Sequence, residues 1–194
     1  MPHAPALVLA STSAHRRELL ARLGLPFSHE PPGVDEHRPP DEEPAQTVMR
    51  LARQKARAVL ERRPEAVVIG ADQLAARNGE VLGKPANEQE AIDQLARSAG
   101  RQVEFLTGVC VLRAGREPEE HMDITRVVFR PLKPEQIRRY LEREQPYDCA
   151  GSFRSESLGI ALFERIDSQD PTGLVGLPLI WLSGALGRLG LPVL

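Results

Sequence analysis

Apolar and polar positions alternate along this chain in two rhythms, one suited to strands and one to helices. Leu7 to Ala10 is a short apolar run ending at Ser11, and Ala14 to Leu23 follows at helical spacing until Gly24 and Pro26 close it, predicting strand, turn and helix. Pro31 to Pro44 is rich in Pro, Asp and Glu and reads as a long exposed loop. Ala45, Val48, Met49, Ala52, Ala56, Val59 and Leu60 then recur on one helical face up to Arg62, with Pro64 as the stop. Ala66 to Ala71 has the composition of a buried strand, and Asn78-Gly79 marks a hairpin between Leu74 to Ala76 and Val81-Leu82. Glu88 to Ser98 and Pro134 to Glu144 are amphipathic helices, the second opened by its proline. Val103 to Leu112 and Met122 to Phe129 form two longer strands, expected to be antiparallel. Tyr147 to Asp170 is loop and strand, and Leu177 to Leu189 is a closing helix. Strands interleaved with helices predict an α/β fold, a mixed sheet flanked by helices, with residues 1–194 as a single domain.

Composition narrows the functional classes. Lys and Arg number 25 against 27 Asp and Glu, a net charge of -2, which argues against a general nucleic-acid binder. Cys110 and Cys149 lie far apart with no CxxC or Cys/His cluster, so the thiols read as reduced and the chain as cytoplasmic. Met1 to Ala10 lacks the pattern of a secretory signal, and Leu174 to Leu194 is interrupted by Gly176, Pro178, Gly184, Arg188 and Pro192, so no membrane span is expected. GxSxG, HExxH, GxGxxG and the Walker A loop are all absent.

Five constellations carry candidate chemistry. Ser11, Ser13 and Arg16 stand where a strand hands over to a helix, and Arg16 falls on the apolar face with Leu19, Leu20 and Leu23. Free N–H groups, hydroxyls and a guanidinium suit a phosphate; the competing reading is that Ser13 only caps the helix and Arg16 snorkels. Lys55 sits mid-way on an apolar helical stripe, which costs several kcal/mol unless an anion meets it, whether a ligand or a structural carboxylate. Only three of the 25 basic residues are lysines, Lys55, Lys84 and Lys133. Asp72 and Gln73 follow directly on Val67 to Ala71, at the expected C-terminal end of a central strand, where open α/β sheets place their ligands. Asp72 suits a divalent ion or a proton from water, with Asp35-Glu36 of the acidic loop offering a second carboxylate, and Gln73 suits the edge of a base; a plain strand-end turn is the alternative. Gly83-Lys84-Pro85 fixes the backbone around a lysine and is weak alone. The fifth, Cys149 to Glu156, offers small residues with Arg154 and Glu156, either a base slot whose Glu156 accepts from a guanine edge or a surface salt bridge. Jointly they read as a nucleoside triphosphate site.

Ser11-Thr12-Ser13 to Arg16-Arg17, Val34-Asp35-Glu36, Leu51-Ala52 to Lys55-Ala56, Gly70-Ala71-Asp72-Gln73, Gly83-Lys84-Pro85, Thr107-Gly108, Cys149-Ala150-Gly151-Ser152-Phe153 and Leu174-Val175-Gly176-Leu177-Pro178 together resemble the Maf family of nucleotide pyrophosphatases, from about Leu7 to Leu189. Gln73 and the Cys149 segment resemble its 7-methyl-GTP branch; the dTTP/UTP branch and a non-catalytic nucleotide-binding division regulator are the alternatives. The resemblance implies an elongated, twisted, inosine triphosphatase-like mixed sheet, a homodimer, and cleavage between the α and β phosphates with a divalent cation, Mg or Mn. It implies Asp72 as proton acceptor, His15, Gln73 and Glu156 as substrate-discriminating positions, and Ser11, Arg16, Glu36, Lys55 and Lys84 around phosphate and metal. Glu36 and Asp72 are then the expected metal ligands. Ala14, His15, Ala71 and Ser157 depart from the family pattern, where Pro, an aromatic, Ser and Gly are usual.

Overall fold

In a computed structural model, residues 5–194 are described. The reading of Met1 to Ala10 as lacking a secretory signal therefore falls partly outside the described residues. Among those described there are seven strands and five α-helices: β1 (Leu7–Ala10), α1 (Ala14–Ala21), β2 (Phe27–His29), α2 (Pro44–Arg62), β3 (Val67–Arg77), β4 (Glu80–Leu82), α3 (Glu88–Ser98), β5 (Gln102–Arg113), β6 (Glu119–Phe129), α4 (Pro134–Glu144), β7 (Phe163–Asp167) and α5 (Leu179–Arg188). The strand order is β2-β1-β3-β5-β6-β7, with β4 paired to β3. The sheet is mixed: β1 runs parallel to β2 and β3, whereas β3–β4 and β6–β7 are antiparallel. No helix among the described residues is long and apolar enough to cross a membrane.

The chain divides into two compact units built from interleaved segments. The first holds residues up to Gln73, Thr107–Asp123 and Asp170–Leu194; the second holds Leu74–Leu106 and Ile124–Gln169. In the first unit, parallel β1 and β3 are sandwiched between two apolar layers. Leu7, Leu9, Val67 and Ile69 point to a layer with Leu19 and Leu20 of α1 and Leu182 and Leu186 of α5, while Val8, Ala10 and Val68 face Ala52, Ala56 and Val59 of α2. This is the strand period of two meeting the helical period of 3.6. Each fully buried leucine contributes roughly 1.5–3 kcal/mol.

The second layer is unusually close. A Cβ on Gly70 would collide with the carbonyl oxygen of Ala52, and one on Gly108 would lie 2.7 Å from that of Val48. Glycine at both positions lets the α2 backbone rest directly on β3 and β5.

In the second unit, Phe105, Phe129, Phe153 and Phe163 form an edge-to-face cluster with centroid separations of 4.8–5.6 Å. The Asn78-Gly79 hairpin forms as expected, with Ala75 opposite Leu82. One expectation needs correction. Asp72 does not end its strand, because β3 continues through Gln73 to Arg77 and Asp72 lies near its middle. The apolar run stops at Ala71, but the backbone stays extended because Ala75 to Arg77 pair with β4.

Candidate active site

Lys55 projects from the face of α2 that rests on β3 and is only 5% exposed. Its Nζ lies 2.7 Å from Oδ1 of Asp72, itself 6% exposed, and 2.8 Å from Oε1 of Glu36. The close seat of α2 on Gly70 sets this geometry, since Gly70 and Asp72 share one strand and Ala52 and Lys55 one helix. Burying an ammonium among carboxylates is costly unless each charge is met, and here one cation faces two acids. The opposite end of the arrangement is open, as the Glu36 side chain is 59% exposed.

Register brings the α1 turn to the same place. Ala10 of β1 pairs with Gly70 of β3, so Ser11 and Asp72 both lie beyond that pair in the parallel direction. Ser11 is buried and its Oγ accepts from Ser13 N at 3.1 Å. Ser13 is the N-cap of α1, its Oγ accepting from Arg16 N at 3.4 Å, so the capping reading of Ser13 describes what it does. Arg16 points inward as expected: its Nε donates to the carbonyl of Gly176 at 3.0 Å. Burial pushes its pKa down from the usual guanidinium value, opposed by the nearby charges of Asp72 and Glu36, and it stays charged. His15 is half-buried on the same helix.

Gln73 is held by the chain itself. Its Nε2 donates toward Thr107 Oγ1 (2.9 Å) and the carbonyls of Gly173 (3.0 Å) and Leu174 (3.1 Å), while Thr107 Oγ1 donates to Gly173 O at 3.0 Å. Carbonyls only accept, which orients the amide with Nε2 toward them. Lys84 and Glu156 belong to the second unit, and both are exposed. Glu156 accepts from Ser155 Oγ at 3.1 Å.

The structure thus joins Lys55, Asp72 and Glu36 in direct contact and sets Arg16 within their electrostatic reach. The sequence marks Thr107, whose hydroxyl is fully buried, only as part of the Thr107-Gly108 motif and gives it no role, and it assigns nothing to Asp170, which takes Thr172 N, Thr172 Oγ1 and Ile180 N on its two oxygens. That motif and a polar residue in the apolar run of β5 are the signals for the first; the second has none, because its partners lie in the following turn and helix.

For a divalent cation the donor set is small. Among the described residues no group of three or more His, Cys, Asp and Glu gathers to hold a metal. Asp72 and Glu36 supply two carboxylates on a shared partner, which fits an ion of the Mg type that takes one or two carboxylates and completes its shell with phosphate oxygens and water.

A family model described as Maf-like protein matches residues 6–189. The chain belongs to the Maf family. This Maf chain is 53% identical over 187 residues to the 7-methyl-GTP pyrophosphatase of Aromatoleum aromaticum, covering 95% of this chain and 96% of that protein. It is 50% identical over 194 residues to the 7-methyl-GTP pyrophosphatase of Nitrosococcus oceani, covering 100% and 98%. Among solved structures, the Staphylococcus aureus Ham1 protein matches at a TM-score of 0.49 and 14% identity over 66% of this chain and 73% of that one, too distant a likeness to bear on chemistry.

Proposed function

We propose that this Maf chain hydrolyses 7-methyl-GTP to 7-methyl-GMP and diphosphate, removing modified nucleotides from the pool. The observation that carries the reading is the buried Lys55–Asp72 pair with Glu36 at its open side, in a chain about half identical to proteins named for that activity. Lys55 holds Oδ1 of Asp72, which leaves the second oxygen to orient a water and take its proton as the water attacks phosphorus. Arg16 and Lys55 supply fixed positive charge for the triphosphate, and the family resemblance supports Lys84 as a further cation for it. Ser11 and the first turn of α1 add hydrogen-bond donors for a phosphate oxygen.

Glu36 and Asp72 would hold the divalent cation, Mg or Mn, which when bound supplies charge neutralisation and polarises the phosphoryl oxygens. On the base, N1–H and the N2 amino group of guanine are donors, and the family resemblance supports Gln73 and Glu156, an amide and a carboxylate, as acceptors that suit them. The positive charge of a 7-methylated guanine adds attraction to Glu156, and the imidazole of His15 is a ring of the type that stacks on a purine. The free thiols support a cytoplasmic setting, and the family resemblance supports a homodimer acting on free nucleotides rather than nucleic acid.

The test is diphosphate release from 7-methyl-GTP, GTP, UTP and dTTP, with Mg²⁺, with Mn²⁺ and with chelator. Metal-dependent turnover highest on 7-methyl-GTP is expected. Equal or higher rates on UTP and dTTP would move the chain to the other branch of the family, and binding without release from any nucleotide would overturn the enzymatic reading.

A further inference from the structure

Glu36 is an exposed carboxylate on an irregular segment, residues 30–43, that joins β2 to α2. Its ion pair with Lys55 cannot by itself hold that segment. A pair with one partner so exposed contributes at most about 1 kcal/mol, whereas fixing each backbone residue costs about 1–2 kcal/mol.

The segment's start is tied to the far end of α2, Arg62 Nη2 donating to the carbonyl of Pro31 at 2.8 Å, and the fastening beyond Glu36 lies one helical turn and more from Lys55. Arg50 of α2 grips Glu42 with both arms of its fork, Nε to Oε1 at 2.7 Å and Nη2 to Oε2 at 2.8 Å, and Nη2 also donates to the carbonyl of His37 at 3.2 Å. The buried Thr47 donates from Oγ1 to Glu42 Oε2 at 2.8 Å. Arg38 closes the segment on itself, donating from Nη2 to the carbonyl of Glu42 at 2.6 Å, and the His37 amide donates to Asp35 Oδ1 at 2.9 Å. The Glu42 side chain is only 15% exposed, and bidentate charge-assisted bonds of this kind are strong and directional. Both anchors, Thr47 and Arg50, ride on the helix that carries Lys55.

We infer that the Arg50–Glu42 pair, seated on Thr47, is a strap that positions Glu36 at the Lys55–Asp72 centre, making Arg50 and Glu42 positioning residues for the reaction proposed above. They act through Glu36 alone. The inference rests on that reading for its kinetic consequence and stands on the loop geometry for its structural one.

Two measurements test it on the full-length chain. In hydrogen exchange, Glu42→Gln is expected to speed exchange of amides in residues 35–43 by about tenfold, with the amides of Leu51 to Val59 unchanged. In kinetics, the same change is expected to lower kcat/KM by about tenfold in the native background and by less than twofold in a Glu36→Gln background, because the strap then has nothing left to position. An equal loss in both backgrounds, or unchanged exchange in residues 35–43, overturns the strap. Should Glu42→Gln not fold, Arg50→Lys carries the same comparisons, since a lysine keeps the charge and loses the fork. If the native chain turns over no nucleotide, the proposed activity falls and the exchange result alone decides the strap.

Discussion

The α2–β3 contact and the Cys149–Glu156 segment both combine acids, bases and small residues, and they use them in opposite ways. At α2–β3 the charges sit on regular elements and are buried, with Lys55 meeting Asp72 at 2.7 Å. In the segment, Arg154 meets Asp148 at 2.6 Å at the surface, Glu156 is exposed, and order comes from the backbone, with Gly151 and Ser152 both at positive φ and Ser152 Oγ donating to Gln94 Oε1 at 2.6 Å. A group proposed to take a proton from water must keep its place to fractions of an ångström, which a buried ion pair on regular elements provides. The role proposed for Glu156, accepting from a base, instead suits a carboxylate that stays exposed until a ligand binds.

The largest test of that contrast sets Asp72→Asn against Glu156→Gln. The first is expected to lower kcat by about 10²–10⁴-fold, and the second to raise KM for 7-methyl-GTP by about tenfold with kcat nearly kept. Steady-state kinetics reads both, and a kcat loss from Glu156→Gln as large as that from Asp72→Asn would erase the distinction.

An intermediate effect probes how the rigid side is built. Gly70→Ala places a methyl against the Ala52 carbonyl and the Ala56 amide, so helix or strand must move. Overpacking at a backbone contact is expected to cost about 3 kcal/mol by urea denaturation. Activity is expected to fall beyond what the unfolded fraction explains, because Lys55 moves with the helix.

The smallest effect compares the two thiols. Burial, with Glu120 nearby, pushes Cys110 up to about 12, and burial with the Asp148 charge pushes Cys149 up to about 11 against the pull of Arg154. Both folded values lie above the ordinary thiol value, so the folded chain keeps protons that the unfolded chain loses, and stability is expected to fall as pH rises past about 9. At pH 8, iodoacetamide is expected to alkylate Cys149 about 10²-fold more slowly than a free thiol and to leave the enclosed Cys110 untouched. Mass spectrometry of the two peptides checks this.

Periodicity read the helices well. Glu88–Ser98 and Pro134–Glu144 match the expected bounds residue for residue, because caps and prolines mark their ends, while α1 and α5 are shorter at ends where apolar residues continue into loops. β2 escaped notice since three residues, Phe27 to His29, carry no alternation worth reading, and only the parallel pairing with β1 makes them a strand. Asp72 was misplaced within β3 because hydrophobicity ended where hydrogen bonding did not. Lys55 was legible as a cation on an apolar stripe, yet its two carboxylate partners came from separate segments. Glu42 and Arg50 left no local trace: they are eight residues apart across a helix start, and a bidentate pair of that kind exists only once the loop has turned back.

The backbone contact of α2 with Gly70 and Gly108 acts as a fixed spacer. Where side chains intervene, exchanging a valine for a leucine shifts a helix relative to its sheet. Here carbonyl and amide atoms touch the strands directly, so the height of the Lys55 ammonium is decoupled from the hydrophobic residues on either flank. Those residues can drift in size while the Lys55–Asp72 distance stays constant.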